Sequence, residues 1–133
     1  MEAWNNVAGR VPRILCVDDD QSILSITRMA LEYEGYNVVT ASNGRAALEQ
    51  FAAGPVDAVV LDYEMPGMNG GEVAREMKRL KPAVPKLLFT SCPTVPKQAA
   101  DAIEAFCPKG VSLDVLLSRV HLLVETPVSG KPN

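Results

Sequence analysis

Two hydrophobic periods alternate along this chain. Short runs of consecutive apolar residues are separated by stretches in which apolar residues recur every three or four positions. The first kind fits strands buried on both faces, the second fits amphipathic helices. Residues 14–17 are the first such run and stop at Asp18-Asp19-Asp20. Residues 21–34 follow with Ile23, Ile26, Ala30, Leu31 and Tyr33 at helical spacing, Asp20 or Asp19 as N-cap and Gly35 at the end. A second strand is expected at 36–41, then a turn at Ser42-Asn43-Gly44 and a helix carrying Ala46, Ala47, Leu48 and Phe51 until Gly54-Pro55. The third strand, 57–61, again runs into an acid, Asp62, and a turn-rich segment leads from there into a helix through Lys81. Strands at 86–91 and 104–107 flank a short helix, and Leu113–Glu125 forms the last one.

Five strands alternating with five helices predict an α/β fold, a doubly wound parallel sheet with helices on both faces, because parallel neighbours require right-handed crossover connections. In strand order 2-1-3-4-5 the first and third strands lie side by side at the switch point, where ligands collect beyond the carboxyl ends. Asp18, Asp19 and Asp62 all fall there. Thr90 near the end of the fourth strand and Lys109 after the fifth bring a hydroxyl and a cation to the same edge.

Composition narrows the picture. A length of 133 residues with 47% hydrophobic content suffices for one core without disulfide or metal support. A net charge of -3 offers no basic field for nucleic acid, so direct binding of it is not expected. Cys16, Cys92 and Cys107 have no paired spacing and read as reduced thiols. With no span-length apolar run and no signal-peptide pattern near Met1, no membrane association is expected, and the location expected is cytoplasmic. Residues 1–12 read as a flexible extension, 13–125 as the domain and 126–133 as a flexible tail. Too few residues follow Glu125 for a further domain, so the chain reads as either a stand-alone unit or a fragment of something longer.

Acids after strands commonly cap the next helix or face water, and either cluster alone would fit that reading. Together at adjacent strand ends they point to chemistry. Three converging carboxylates repel one another unless a cation sits among them, and hard oxygen donors suit Mg²⁺.

The order Val17-Asp18-Asp19, then Leu61-Asp62-Tyr63-Glu64-Met65-Pro66-Gly67-Met68-Asn69-Gly70, then Leu88-Phe89-Thr90, then Lys109 resembles the receiver domain of response regulators. The resemblance runs from about Arg13 to Glu125 and implies a flavodoxin-like, chemotaxis-receiver-like fold. It implies a two-component phosphorelay in which Asp62 takes a phosphoryl group from a phosphohistidine on a sensor histidine kinase or histidine phosphotransfer protein. Mg²⁺ would be held by Asp18, Asp19, Asp62 and the backbone carbonyl of Glu64. Lys109 would pair with a phosphoryl oxygen, and Thr90 would donate to another by turning inward when phosphate is present. Phe106 occupies the position of the family's switch aromatic, with plain core packing as its other reading. Such a domain catalyses only its own phosphorylation and dephosphorylation and controls a downstream protein target or attached output domain. Lone His121, on the last helix, is expected to have no catalytic role.

Two departures stand out. Receivers commonly carry Lys-Pro where this chain has Lys109-Gly110, which puts the aim of the lysine in question. The segment between Thr90 and Lys109 is also short, and Pro93 and Pro96 must lie outside any helix there. In many receivers this region binds partners or forms a homodimer. Two alternatives follow. One is a degenerate receiver that docks without phosphorylation. The other is a haloacid-dehalogenase-type phosphatase, reading Asp18-Asp19-Asp20-Gln21-Ser22 as its motif but leaving Asp62 unexplained.

Overall fold

The computed structural model describes residues 10–125, so most of the expected N-terminal extension and the whole C-terminal tail lie outside the described residues. Five strands, β1 (Arg13–Val17), β2 (Asn37–Ala41), β3 (Ala58–Leu61), β4 (Lys86–Thr90) and β5 (Ala105–Pro108), alternate with five helices. The helices are α1 (Gln21–Tyr33), α2 (Gly44–Ala53), α3 (Gly70–Leu80), α4 (Lys97–Ala100) and α5 (Leu113–Glu125). All strands are parallel, in the order β2-β1-β3-β4-β5. This is the doubly wound sheet that the apolar runs predict.

Alternation of side chains along the strands divides the interior in two. Leu15, Val17, Val59, Leu61 and Leu88 face one way and pack with Phe51 of α2 and Val73 and Met77 of α3. Ile14, Cys16, Val60, Leu87 and Phe89 face the other way, against Leu24 and Leu31 of α1 and Leu116 and Val120 of α5. Because both faces are covered, the central strands are apolar at nearly every position. Their backbones are thereby fixed, and so are the residues at their ends.

The helix boundaries follow local chemistry. Asp20 caps α1, its carboxylate accepting the N–H groups of Ser22 and Ile23. Asn69 and Glu72 form a reciprocal capping box that starts α3. Lys81 reaches back to the carbonyls of Phe51 and Gly54 at the end of α2. No helix among the described residues is long and apolar enough to cross a membrane.

Small shifts separate the predicted and observed elements. β5 begins and ends one residue later than expected and is an edge strand whose burial is incomplete, which weakens its sequence signal. α4 is a single turn that starts after Pro96, as the prolines require. Lys86, which reads in sequence as an ordinary strand start, is fully buried and pairs with Glu104 at 3.3 Å. Burial lowers the Lys86 pKa, against the pull of Glu104. This pair lies at the amino end of the sheet, opposite the acidic edge.

Candidate functional site

The sheet's own hydrogen bonding extends one residue past three strands and fixes the site. Asp18 donates its backbone N–H to Ala41 O at 3.2 Å, Asp62 to Val17 O at 3.0 Å, and Lys109 to Thr90 O at 3.0 Å. Each of these three candidate residues therefore stands in register beside the end of its neighbouring strand. Asp62 is drawn next to Asp18 because β3 pairs directly with β1.

Carboxylate oxygens of Asp18, Asp19 and Asp62 lie within 4.8 Å of one another. Asp18 and Asp62 are buried, at 4% and 6% exposure, whereas Asp19 is open to solvent. The Lys109 ammonium closes the pocket, 2.7 Å from Asp18 and 3.3 Å from Asp62. Asp18 also accepts the Asp20 N–H at 2.9 Å. The sequence resemblance gives Lys109 a phosphoryl oxygen as partner. Here it bridges the two buried acids directly, reaching Asp18 across 91 residues of chain.

The Lys109–Gly110 bond is trans, since no cis peptide occurs among the described residues. The lysine reaches the acids without a following proline, and Gly110 adopts φ +97° just after it.

The electrostatics are those of a crowded anionic pocket. Burial raises the Asp62 pKa above the ordinary carboxylate value; Lys109 opposes this, Asp18 adds to it, and a hydrogen bond from Thr90 favours the ionised form. Burial works against the Lys109 ammonium, but the hydrogen bond to Asp18 and the charges of Asp62 and Asp18 outweigh it and raise its pKa. Thr90 is buried at 7% exposure and accepts the Cys92 N–H at 3.1 Å. Its hydroxyl lies at the pocket, within hydrogen-bonding reach of Asp62.

The remaining predicted residues divide. Glu64 is exposed in the loop two residues beyond Asp62. Phe106 is 42% exposed, which sets aside plain core packing, and its carbonyl accepts from Arg119 of α5. Phe106, Thr90, Cys92, Pro93 and Lys109 line one shallow cavity of about 210 Å³ beside the acidic edge. His121 lies 3.4 Å from Glu125 on α5, facing a different cavity with Glu34, Asp114, Leu117 and Ser118. The phosphatase motif loses its second acid, because Asp20 is committed to capping α1.

Gly70, which closes the motif that begins at Asp62, has a structural role that the sequence pattern does not state. Gly70 packs its backbone against the loop after Asp62, donating its N–H to Tyr63 O at 2.7 Å. A Cβ there would stand 2.2 Å from Asp62 O.

Comparison with known proteins agrees with this geometry. The family model described as the response regulator receiver domain matches residues 14–121. Response regulator MprA of Mycolicibacterium vanbaalenii is 38% identical over 123 residues, covering 89% of this chain and 53% of its own length. The chain thus spans about half the length of the curated relatives it matches. Among solved structures, a CheY-like receiver domain protein from Methanospirillum hungatei has a TM-score of 0.82 at 28% identity, over 86% of this chain and 94% of that one. Response regulator TrrA of Thermotoga maritima in complex with Mg(2+)-BeF has a TM-score of 0.81 at 36% identity, over 85% and 99%. TrrA has also been solved in complex with histidine kinase ThkA, with a TM-score of 0.79, 36% identity and coverage of 85% and 98%.

Proposed function

The chain belongs to the response regulator receiver family of two-component signalling, and from that premise we propose that Asp62 is its phosphoacceptor, served by Asp18, Asp19, Thr90 and Lys109. The observation that carries this reading is the convergence of three carboxylates and one ammonium at the carboxyl edge of β1, β3 and β5. A docking module without phosphoryl chemistry has no need of that set, and burying so many charges costs stability.

Asp62 is the nucleophile. Its oxygen forms the new P–O bond as the P–N bond of a donor phosphohistidine breaks and the imidazole leaves with the electron pair. Lys109 lies within reach of both Asp62 and Asp18 and balances charge as the anionic phosphoryl group arrives. Thr90 offers its hydroxyl to a phosphoryl oxygen from the neighbouring strand end.

The donor set fits a divalent cation. Asp18, Asp19 and Asp62 supply hard oxygens, the exposed Asp19 gives access from solvent, and one ammonium does not balance three carboxylates. Mg²⁺ would be held by these three side chains and the Glu64 carbonyl, where it would neutralise charge on the transferring phosphoryl oxygens.

The domain catalyses its own phosphorylation and dephosphorylation. Its partners are a sensor histidine kinase or histidine phosphotransfer protein and, downstream, a protein target or attached output domain, with the receiver unit spanning 13–125. Occupation of the Asp62 site is read out through Thr90 and Phe106, which line the same cavity. Incubation with acetyl phosphate and Mg²⁺, followed by intact mass, tests the reading. The wild type gains one phosphoryl group and Asp62→Asn gains none; equal labelling of the two rejects Asp62 as acceptor.

A further inference from the structure

The turn after Lys109 is bracketed by two anchors. Upstream, the Lys109 N–H is held by Thr90 O at 3.0 Å. Downstream, Ser112 opens α5: its hydroxyl accepts the Asp114 N–H at 3.1 Å and its carbonyl accepts the Val115 N–H at 3.0 Å. Only Gly110 and Val111 lie between the anchors, and they must redirect the chain from strand to helix. Gly110 does so at φ +97°, in the left-handed region that L side chains rarely adopt. Space is not the restriction, since a Cβ at Gly110 would meet nothing within 4 Å.

We propose that Gly110 is a positioning residue for phosphoryl transfer: its left-handed backbone turns the chain immediately after Lys109, so that the ammonium lands between Asp18 and Asp62. The inference rests on the role given to Lys109 above. A residue forced to negative φ would push the turn onto one of the anchors. The α5 anchor is the firmer, with two hydrogen bonds and the buried side chains of Leu116 and Val120 behind it. The backbone of Lys109 is held by one hydrogen bond, to Thr90 O, at the exposed end of β5, so this side of the turn yields first and strains the ammonium's contacts with Asp18 and Asp62. Misplacement of a reacting or charge-balancing group by about 1 Å can cost up to about a hundredfold in rate.

The test is the rate of phosphorylation by acetyl phosphate at saturating Mg²⁺ in the full chain, for Gly110→Ala, Gly110→Asn, Lys109→Met and the double variant Lys109→Met/Gly110→Ala. Gly110→Ala slows the reaction between about ten- and a hundredfold. Gly110→Asn loses less despite its greater bulk, because Asn tolerates left-handed backbone better than Ala. On the Lys109→Met background Gly110→Ala adds no further loss, because the glycine acts through the lysine. If Gly110→Ala does not fold, the Asn variant takes its place in the cycle. An unchanged rate for Gly110→Ala overturns the proposal, as does a loss repeated in full without the lysine, or a larger loss for Asn than for Ala. A wild type that takes no phosphoryl group overturns the phosphoacceptor reading itself, a result distinct from each of these.

Discussion

Replacing Lys109 with methionine keeps much of the side-chain volume and removes the one cation, among the described residues, that touches both buried acids. At an effective dielectric constant of about 20, contacts of 2.7 and 3.3 Å each correspond to about 5–6 kcal/mol of gross attraction. The net value is smaller, because the ammonium regains hydration when the chain unfolds and Asp62 can take up a proton. Breaking a buried pair and leaving its partner uncompensated costs about 3–5 kcal/mol, and the open side at Asp19 lowers the expectation to about 2–4 kcal/mol. For a domain of this size that is a fall in melting temperature of roughly 8–16 °C. The assay is thermal unfolding in EDTA at neutral pH. A second arm adds Mg²⁺: a pocket stripped of its ammonium holds a divalent cation more tightly, so saturating metal raises the melting temperature of Lys109→Met more than that of the wild type. Equal melting temperatures in EDTA, or an equal or smaller metal shift in the variant, would refute the role assigned to this charge.

Other expectations follow from the same geometry. Burial and the Asp18 charge raise the Asp62 pKa, so ionised Asp62 lowers fold stability. That loss is absent while the group is protonated, grows as pH rises from the unfolded to the folded pKa, and is complete above the latter. Asp62→Asn therefore melts several degrees higher than the wild type in EDTA at neutral pH, and calorimetry shows the advantage shrinking as pH falls through the carboxylate range. Gly70→Ala would force a Cβ to 2.2 Å from Asp62 O and 2.8 Å from Tyr63 Cα, so urea titration shows a loss of about 1–3 kcal/mol or more. The Cys16 thiol is buried and pushed up to about 12, and burial raises Cys107 as well, so colourimetric thiol titration of the native protein finds fast reaction at Cys92 alone.

The legible parts of the fold were those in which one local signal decides. Ile14 to Val17, Val59 to Leu61 and Leu87 to Phe89 are apolar because both sheet faces are covered, and a short apolar run ended by an acid can be read without its neighbours. Caps such as Asp20 and Asn69 are equally local. Where pairing partners decide the outcome, sequence says less. The buried Lys86 ammonium meets Glu104, 18 residues away and just ahead of β5, as well as the Val84 carbonyl. The boundary of β5 depends on pairing along a single edge. At the site, Asp18, Asp19 and Asp62 were found from strand ends alone. The contact of Lys109 with Asp18 needed the turn at Gly110, whose dihedral angle no spacing pattern encodes.

On the reading proposed above, phosphate becomes attached to one particular carboxylate, that of Asp62. Reduction of the phosphorylated protein with borohydride converts an acyl phosphate to an alcohol, and peptide sequencing by mass spectrometry then locates it. Homoserine at position 62, formed only when Mg²⁺ is present and absent from Asp62→Asn, is the predicted result. Homoserine at position 18 or 19, or an acid-stable phosphate elsewhere with residue 62 unmodified, would rule out Asp62 as the acceptor.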